Sequence, residues 1–181
     1  MLNLNFTPFP DLITERLILR RLQTEDANEI FVLRSSDEVN RFLGRPKATT
    51  IDEARQFINK INNAINKNES VYWAITLKPG TRLIGTICCW NISKENEQAE
   101  IGYELHPEFQ GKGIMQEAIL KVIDFGFEQL KLKTIIAVPS CDNIRSRKLL
   151  EKINFKIDSN LQIQFSQQEH LDNMVVYSLT K

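Results

Sequence analysis

Gly111 and Gly113 stand two apart in the run Gln110-Gly111-Lys112-Gly113, between two stretches of different period. Upstream, from Glu97 to Leu105, side chains alternate: Ile101, Tyr103 and Leu105 share one face, Glu100, Gly102 and Glu104 the other. Downstream, Ile114, Ala118, Val122 and Phe125 recur at helical spacing, widened by Met115, Ile119, Ile123 and Phe127. The glycines therefore lie between a strand, the short turn His106-Pro107-Glu108, and the start of a helix. Such a turn leaves backbone N–H groups without intrahelical partners, at the positive end of the helix dipole. Glycine lets that backbone approach a ligand closely, and a pyrophosphate is a natural guest. Glycine also occurs at strand-to-helix turns for geometry alone, so spacing by itself leaves both readings open. Neither G-x-x-x-x-G-K-[ST] nor a dinucleotide G-x-G-x-x-G is present.

The remaining elements follow in chain order. Ile13 to Arg20 alternates as a strand, and Thr24 with Glu25 and Asp26 predicts the start of a helix to about Arg34. Ser35 to Thr49 is irregular or briefly helical, broken by Gly44 and Pro46. Thr50-Ile51-Asp52-Glu53 is a capping box that opens a helix to about Lys67. Val71 to Leu77 and Arg82 to Trp90 form a hairpin about the turn 78–81, and Lys94 to Glu97 leads into the central strand. Lys133 to Pro139 is a continuous apolar strand of the sheet interior. Asn143 to Ile153 reads as a helix stopped at Asn154, where a left-handed residue fits. Two strands close the chain, about Phe155 to Phe165 and Val175 to Leu179, around a polar loop from Ser166 to Asp172. The expectation is a single mixed α/β domain over residues 1–181.

Composition narrows the class. Hydrophobic residues make 42% and charged residues 25%, as in soluble globular proteins, and 23 Lys plus Arg balance 23 Asp plus Glu. No overall field favours nucleic acid or an anionic membrane. The N-terminus lacks the basic and long apolar regions of a signal peptide, so the expected location is the cytoplasm. Cys88, Cys89 and Cys141 with only two histidines give neither a disulfide framework nor a metal site, and no metal is expected.

The run from Gln110 to Met115 resembles the fingerprint Q/R-x-x-G-x-G/A of the GNAT superfamily of N-acetyltransferases, with Met115 at the last position. The element order is also that superfamily's. Within it, the runs ITERLILRRL, YWAITL, LIGTICCW, AEIGYELHPEFQGKGIMQEA and NIRSRKLLEKINF are similar, in order, to the ribosomal-protein-alanine N-acetyltransferase branch. The resemblance implies a GNAT-like fold: a mostly antiparallel central sheet of about seven strands, flanked by about four helices, with a V-shaped splay between the fourth and fifth strands.

It further implies an acetyl-CoA-dependent acyltransferase. Gln110, Gly111, Lys112, Gly113, Ile114 and Met115 would offer N–H groups to the pyrophosphate of the cosubstrate. Leu105 and His106 would pair with its pantetheine arm, and Asn143 would hydrogen-bond that arm. Ser146 fits the family's Asn-x-x-Ser and would protonate the leaving thiolate. Glu100 stands where the superfamily's histone acetyltransferases carry their catalytic glutamate and is the first candidate base; Glu104 is the second. A backbone N–H near Leu105 would hold the oxyanion. The bland alternative for either glutamate is an ion pair, for example with Arg16 or Arg20.

Other groups carry weaker signals. His106 precedes a proline at a turn, and His170 lies in a polar loop. Trp73 and Trp90 suit core or cleft wall, while Lys112, Arg145, Arg147 and Lys148 could reach phosphates or simply face water. The acceptor is expected to enter past Ser35–Thr49 and the loop Ser166–Asp172. A protein or peptide N-terminal α-amine of ribosomal-protein type, attacking directly in a ternary complex, is the leading acceptor. The alternatives are a small-molecule amine (polyamine, amino acid or antibiotic) and a non-catalytic acyl-CoA-binding sensor. A homodimer is compatible with such folds, and the sequence does not fix one.

Overall fold

The computed structural model describes residues 2–166 and 173–181, and strands from along that span meet in one sheet. They are β1 (Leu12–Ile13), β2 (Leu17–Arg21), β3 (Val71–Leu77), β4 (Leu83–Ser93), β5 (Gln98–Leu105), β6 (Thr134–Ala137), β7 (Lys156–Ile157) and β8 (Tyr177–Thr180). The helices are α1 (Ala27–Ser35), α2 (Asp37–Asn40), α3 (Ile51–Asn66), α4 (Ile114–Glu128), α5 (Ile144–Lys152) and α6 (Ser159–Ser166). In space the strands run β1-β2-β3-β4-β5-β6-β8-β7. β5 and β6 are parallel; the other neighbours are antiparallel. Two of the eight strands have only two residues each, and α2 and α6 are short additions to the expected helices. No helix among the described residues is long and apolar enough to cross a membrane.

Two neighbouring aromatic residues show which helix covers which face. Trp73 meets Phe125 of α4 edge-on at 5.3 Å, whereas Tyr72 meets Phe57 of α3 at 5.8 Å. Adjacent strand residues point to opposite faces, so α4 and α3 lie on opposite sides of the sheet. Cross-strand register carries the division to the central strand. Trp73 pairs with Ile87 and Ile87 with Tyr103, while Ala74 pairs with Thr86 and Thr86 with Glu104. Tyr103 therefore belongs to the α4 face, and Glu100, Gly102 and Glu104 to the α3 face.

Most local readings hold. Thr50 Oγ1 accepts from Glu53 N at the start of α3, and Asn154 sits at φ 70° after α5. Three readings do not. The strand expected from Ile13 to Arg20 breaks at 14–16, because Thr14 and Arg16 turn aside to bind Glu117 of α4. Thr24 is not the cap of α1: it opens a 3-10 turn, and Asp26 accepts from Gln23 N instead. The strand expected from Phe155 to Phe165 is β7 followed by α6. Asp158 Oδ1 accepts from both Asn160 N and Leu161 N, which starts a helix.

The same Asp26 anchors the first helix to the sheet. It binds Arg20 through two contacts of 2.8 and 2.7 Å, with the side chains 15% and 6% exposed. Removing one partner of a buried pair leaves the other charge desolvated and alone. Asp26→Ala is predicted to lower unfolding stability by about 3 kcal/mol, read as a lower urea midpoint at unchanged slope. A loss under about 1 kcal/mol would mean that Arg20 regains water in the variant.

Candidate active site

The site begins where two strands part. β5 pairs with β6 only through Gln98, Ala99 and Glu100, the last of these opposite Ile136. Beyond that point β6 and its continuation stay joined to the β8 side: Val175 N donates to Pro139 O, Cys141 N donates to Asn173 O, and Ser140 bridges to Met174. Among the described residues, the edge of β5 from Ile101 to Leu105 is thus left without a strand on its β6 side. His106 N donates to Ile84 O across the sheet at 2.9 Å. By alternation, the backbone of Ile101, Tyr103 and Leu105 faces the slot. Leu105 is well placed to meet an extended ligand. His106, expected to share that role, faces β4 instead.

The glycine turn closes one end of the slot. Gly111 and Gly113 adopt φ of 75° and 74°, a conformation that disfavours side-chain-bearing residues. The first helical bond of α4 is Glu117 N to Gly113 O. The six N–H groups from Gly111 to Gln116 therefore have no acceptor among the described residues. That row, at a helix N-terminus, fits the pyrophosphate of acetyl-CoA. Gln110 differs from the expectation: its N–H donates to Pro107 O. Its side chain instead joins Leu105 O (3.1 Å) to Arg145 (2.8 Å). Ile114 and Met115 are buried, so they present only backbone to the turn. Arg16 braces it, donating to Lys112 O at 3.0 Å and to Glu117 at 2.6 Å.

Opposite faces of the sheet carry different chemistry beside the slot. On the α4 face, Tyr103 Oη and Ser146 Oγ lie 2.7 Å apart. Burial pushes the Tyr103 hydroxyl up to about 12, with Ser146 pulling it down slightly, so it stays protonated. Asn143 Oδ1 accepts from Ser146 N at 3.1 Å, which caps α5 and fixes Ser146 beside Tyr103.

On the α3 face, Glu100 lies opposite Trp90, which is 46% exposed. Burial raises the Glu100 carboxyl to about 7, against the smaller downward pull of Asn91. It has no ion pair among the described residues. Glu104 is different. It is buried, ion-paired with Arg45, and accepts from Thr86 Oγ1 at 3.3 Å, while Tyr72 donates to Thr86 at 2.8 Å.

Neither glutamate pairs with Arg16 or Arg20. Those arginines hold Glu117 and Asp26. Arg147 donates to Tyr177 Oη and to Cys141 O, which ties it to the protein. Lys112 lies over the Phe109 ring at 5.6 Å, and Lys148 is exposed. Trp73 is core, its Nε1 donating to Pro10 O. Burial raises the thiols of Cys88 and Cys89, the latter to about 12, so neither is a thiolate at neutral pH. The loop expected at Ser166–Asp172, His170 included, lies outside the described residues beyond Ser166, which ends α6.

Sequence reasoning passed over two groups at this site. Alternation places Tyr103 on one face with Ile101 and Leu105 and assigns its hydroxyl no role, although a half-buried tyrosine needs a hydroxyl partner; the Ser146 of Asn-x-x-Ser supplies one. Arg45 reaches Glu104 across 59 positions of chain, and no local signal marks it.

Comparison with known proteins agrees with this geometry. The chain matches the acetyltransferase (GNAT) domain family over residues 16–156. The uncharacterized N-acetyltransferase YoaA of Bacillus subtilis (strain 168) is 36% identical over 173 residues, covering 96% of this chain and 98% of that protein. Two solved structures share the fold at 22% identity. The microcin C7 self-immunity acetyltransferase MccE, in complex with acetyl-CoA and AMP, has a TM-score of 0.78 over 93% of this chain and 94% of its own. The ribosomal-protein-S5-alanine acetyltransferase of Vibrio fischeri has a TM-score of 0.76 over 94% of this chain and 96% of its own. This chain belongs to the GNAT family of N-acetyltransferases, and its cosubstrate is acetyl-CoA.

Proposed function

We propose that the chain acetylates the N-terminal α-amine of a protein or peptide, of ribosomal-protein type, by direct attack within a ternary complex. The observation that carries this reading is the Glu100 carboxyl. It is half-buried, has no ion pair among the described residues, and is raised to about 7. An α-amine titrates near 7.7–8.0 and a lysine near 10.4, so such a base is matched to the former. The similarity of the ordered sequence runs to the ribosomal-protein-alanine branch supports the same class.

In this reading the N–H groups from Gly111 to Met115 hold the pyrophosphate, with the Gln110 side chain shaping the turn. The slot edge at Tyr103 and Leu105 pairs with the pantetheine arm, and Asn143 borders that arm. Acetyl-CoA supplies the activated acetyl group. Glu100, on the α3 face, accepts the proton released as the amine nitrogen bonds to the acetyl carbon. An N–H of the free β5 edge nearer Glu100 than Leu105 is, at Ile101 or Tyr103, stabilises the negative charge that develops on the carbonyl oxygen. As the carbon–sulfur bond breaks, Ser146 donates a proton to the sulfur while Tyr103 passes its own to Ser146, and a proton from solvent restores Tyr103 after product release. Glu104, held by Arg45, shapes the acceptor side and is second to Glu100 as base.

Four variants and a panel of acceptors test these roles. Gly113→Glu puts a side chain and a charge at a left-handed position beside the free N–H row. It should abolish acetyl-CoA binding in calorimetry, and binding of ordinary strength would remove the turn from the cosubstrate site.

Glu100→Gln should lower kcat/KM for an N-terminal peptide about 100-fold. The wild-type profile should lose activity as pH falls through about 7, where Glu100 takes up its proton, in addition to the amine's own step. The variant should keep only the amine step, and an unchanged rate and profile would dismiss Glu100 as the base. Folding gives an independent check on the same group. A carboxyl raised by burial binds its proton more tightly folded than unfolded, so its charging costs stability as pH rises from about 4.3 towards 7. Glu100→Gln should therefore gain, relative to wild type, on the order of 1–2 kcal/mol between pH 5 and 8.

Ser146→Ala should lower kcat about 100-fold with little change in acetyl-CoA affinity, and Tyr103→Phe should do so less. Unaltered kcat in Ser146→Ala would remove it as the acid. Turnover of polyamines, amino acids or antibiotic amines, with no peptide accepted, would shift the acceptor to small molecules.

A further inference from the structure

Beside Glu104 the α3 face carries an excess of cation that the proposed chemistry does not use. Arg45 comes from the loop after α2. Its Nη2 holds Glu104 and its Nε donates to Asn40 Oδ1 at 2.8 Å, so Nη1 has no acceptor among the described residues. Arg34, at the end of α1, stacks over the Phe57 ring with its guanidinium 3.9 Å from the centroid. Its side chain makes no hydrogen bond or ion pair among the described residues. Burial and then the nearby Arg45 charge lower the Arg34 pKa, only partly offset by Glu104, Tyr72 and Glu53. Glu53 does not supply the missing partner, because its carboxylate accepts from Thr49 N and Oγ1. One guanidinium therefore holds the buried Glu104 carboxylate, and a second lies within electrostatic reach of both. Stacking on an aromatic ring fixes the plane of Arg34 and leaves its N–H fork open, a geometry suited to carboxylate or phosphate oxygens.

Resting on the acceptor reading above, we propose that Arg34 and Arg45 form a subsite for an oxyanion, carboxylate or phosphate, carried by the acceptor behind its amine. Glu100 and Glu104 are four residues apart on one strand face, so the subsite lies about 13 Å from the proposed base at about 3.3 Å per residue. An extended peptide with its amine at Glu100 brings its third or fourth residue there. The acceptor class is thus an amine with an acidic or phosphorylated group at that distance. Attraction of this kind acts on binding, so it shows mainly in KM.

The test pairs each acceptor with a neutral twin in steady-state kinetics. The peptide series is Ser-Ala-Ala-Xaa-Ala amide with Asp, phosphoserine or Asn as Xaa, and the small series is 8-aminooctanoate against octylamine. Wild type should favour the anionic member of a series about tenfold in kcat/KM, through KM. Arg34→Met keeps an apolar stem on Phe57, and acetyl-CoA titration of the variant checks that it is folded. In that variant the preference should fall to about twofold or less. A stronger response to phosphoserine than to Asp would identify phosphate as the oxyanion, and the reverse would identify carboxylate. Equal use of anionic and neutral twins would overturn the subsite while leaving peptide acetylation intact. A preference that survives in Arg34→Met, or no turnover of any anionic acceptor, would overturn it as well. A preference seen only in the small series would uphold the subsite and withdraw the peptide reading.

Discussion

The unpaired edge of β5 is the constraint on which the site depends. Backbone N–H and C=O groups at the middle of a sheet ordinarily find partners, and leaving them without any is costly. Here β6 could continue beside β5 but turns away after three pairs, because its own continuation is held on the other side by Asn173, Met174 and Val175. The gap is therefore a product of competition between two neighbours for one strand. Gln110 occupies part of it by donating to Leu105 O. The rest remains available to a ligand that presents amide groups along an extended arm, as the pantetheine arm does. Opening an edge in the interior of a sheet also shields it from the strand pairing that threatens an outer edge.

Carboxylates across the sheet show how environment divides labour among like groups. Asp26, Glu104 and Glu117 each hold an arginine. Glu100, by contrast, is half-buried with no ion pair among the described residues, and desolvation is the main influence on it. Two glutamates on one strand face, four positions apart, thus occupy opposite electrostatic regimes. One is engaged in a pair that fixes a loop; the other is left able to take up a proton near neutral pH. A bare count of 23 acidic and 23 basic residues conceals this.

What the sequence made legible was periodic or local. The stripe of α4, the alternation of β5, the apolar runs of β3 and β4, the capping box at Thr50 and the left-handed Asn154 all depend on neighbours a few residues away. The glycine turn belongs with them, since its free N–H row follows from its place between strand and helix. The failures come from longer reach or from competing local signals. Thr14 and Arg16 leave the strand for Glu117, about a hundred residues on, and Arg45 finds Glu104 across 59. The segment after Phe155 alternated well enough for a strand, but Asp158 capped a helix first. The hydroxyl pair of Tyr103 and Ser146 was half visible: Asn-x-x-Ser marks the serine, whereas nothing local marks the tyrosine hydroxyl as its partner.

Strand period and proposed chemistry are bound together at β5. Glu100 and Glu104 occupy even positions and Tyr103 an odd one, so the proposed base and the proton source for the leaving group stand on opposite faces of one slot. A slip of one residue against β4 would exchange the faces and bring the glutamates under α4. Burial opposes the slip. Trp73, Ile87 and Ile101 are at most 3% exposed and pack on the α4 face, and moving charged side chains among them would desolvate carboxylates with no partner. The apolar face of the sheet thus guards the separation of acid from base, although none of its core residues touches either proton. On this argument the tolerance of the site to mutation is decided as much at Trp73 and Ile87 as at Glu100 and Ser146.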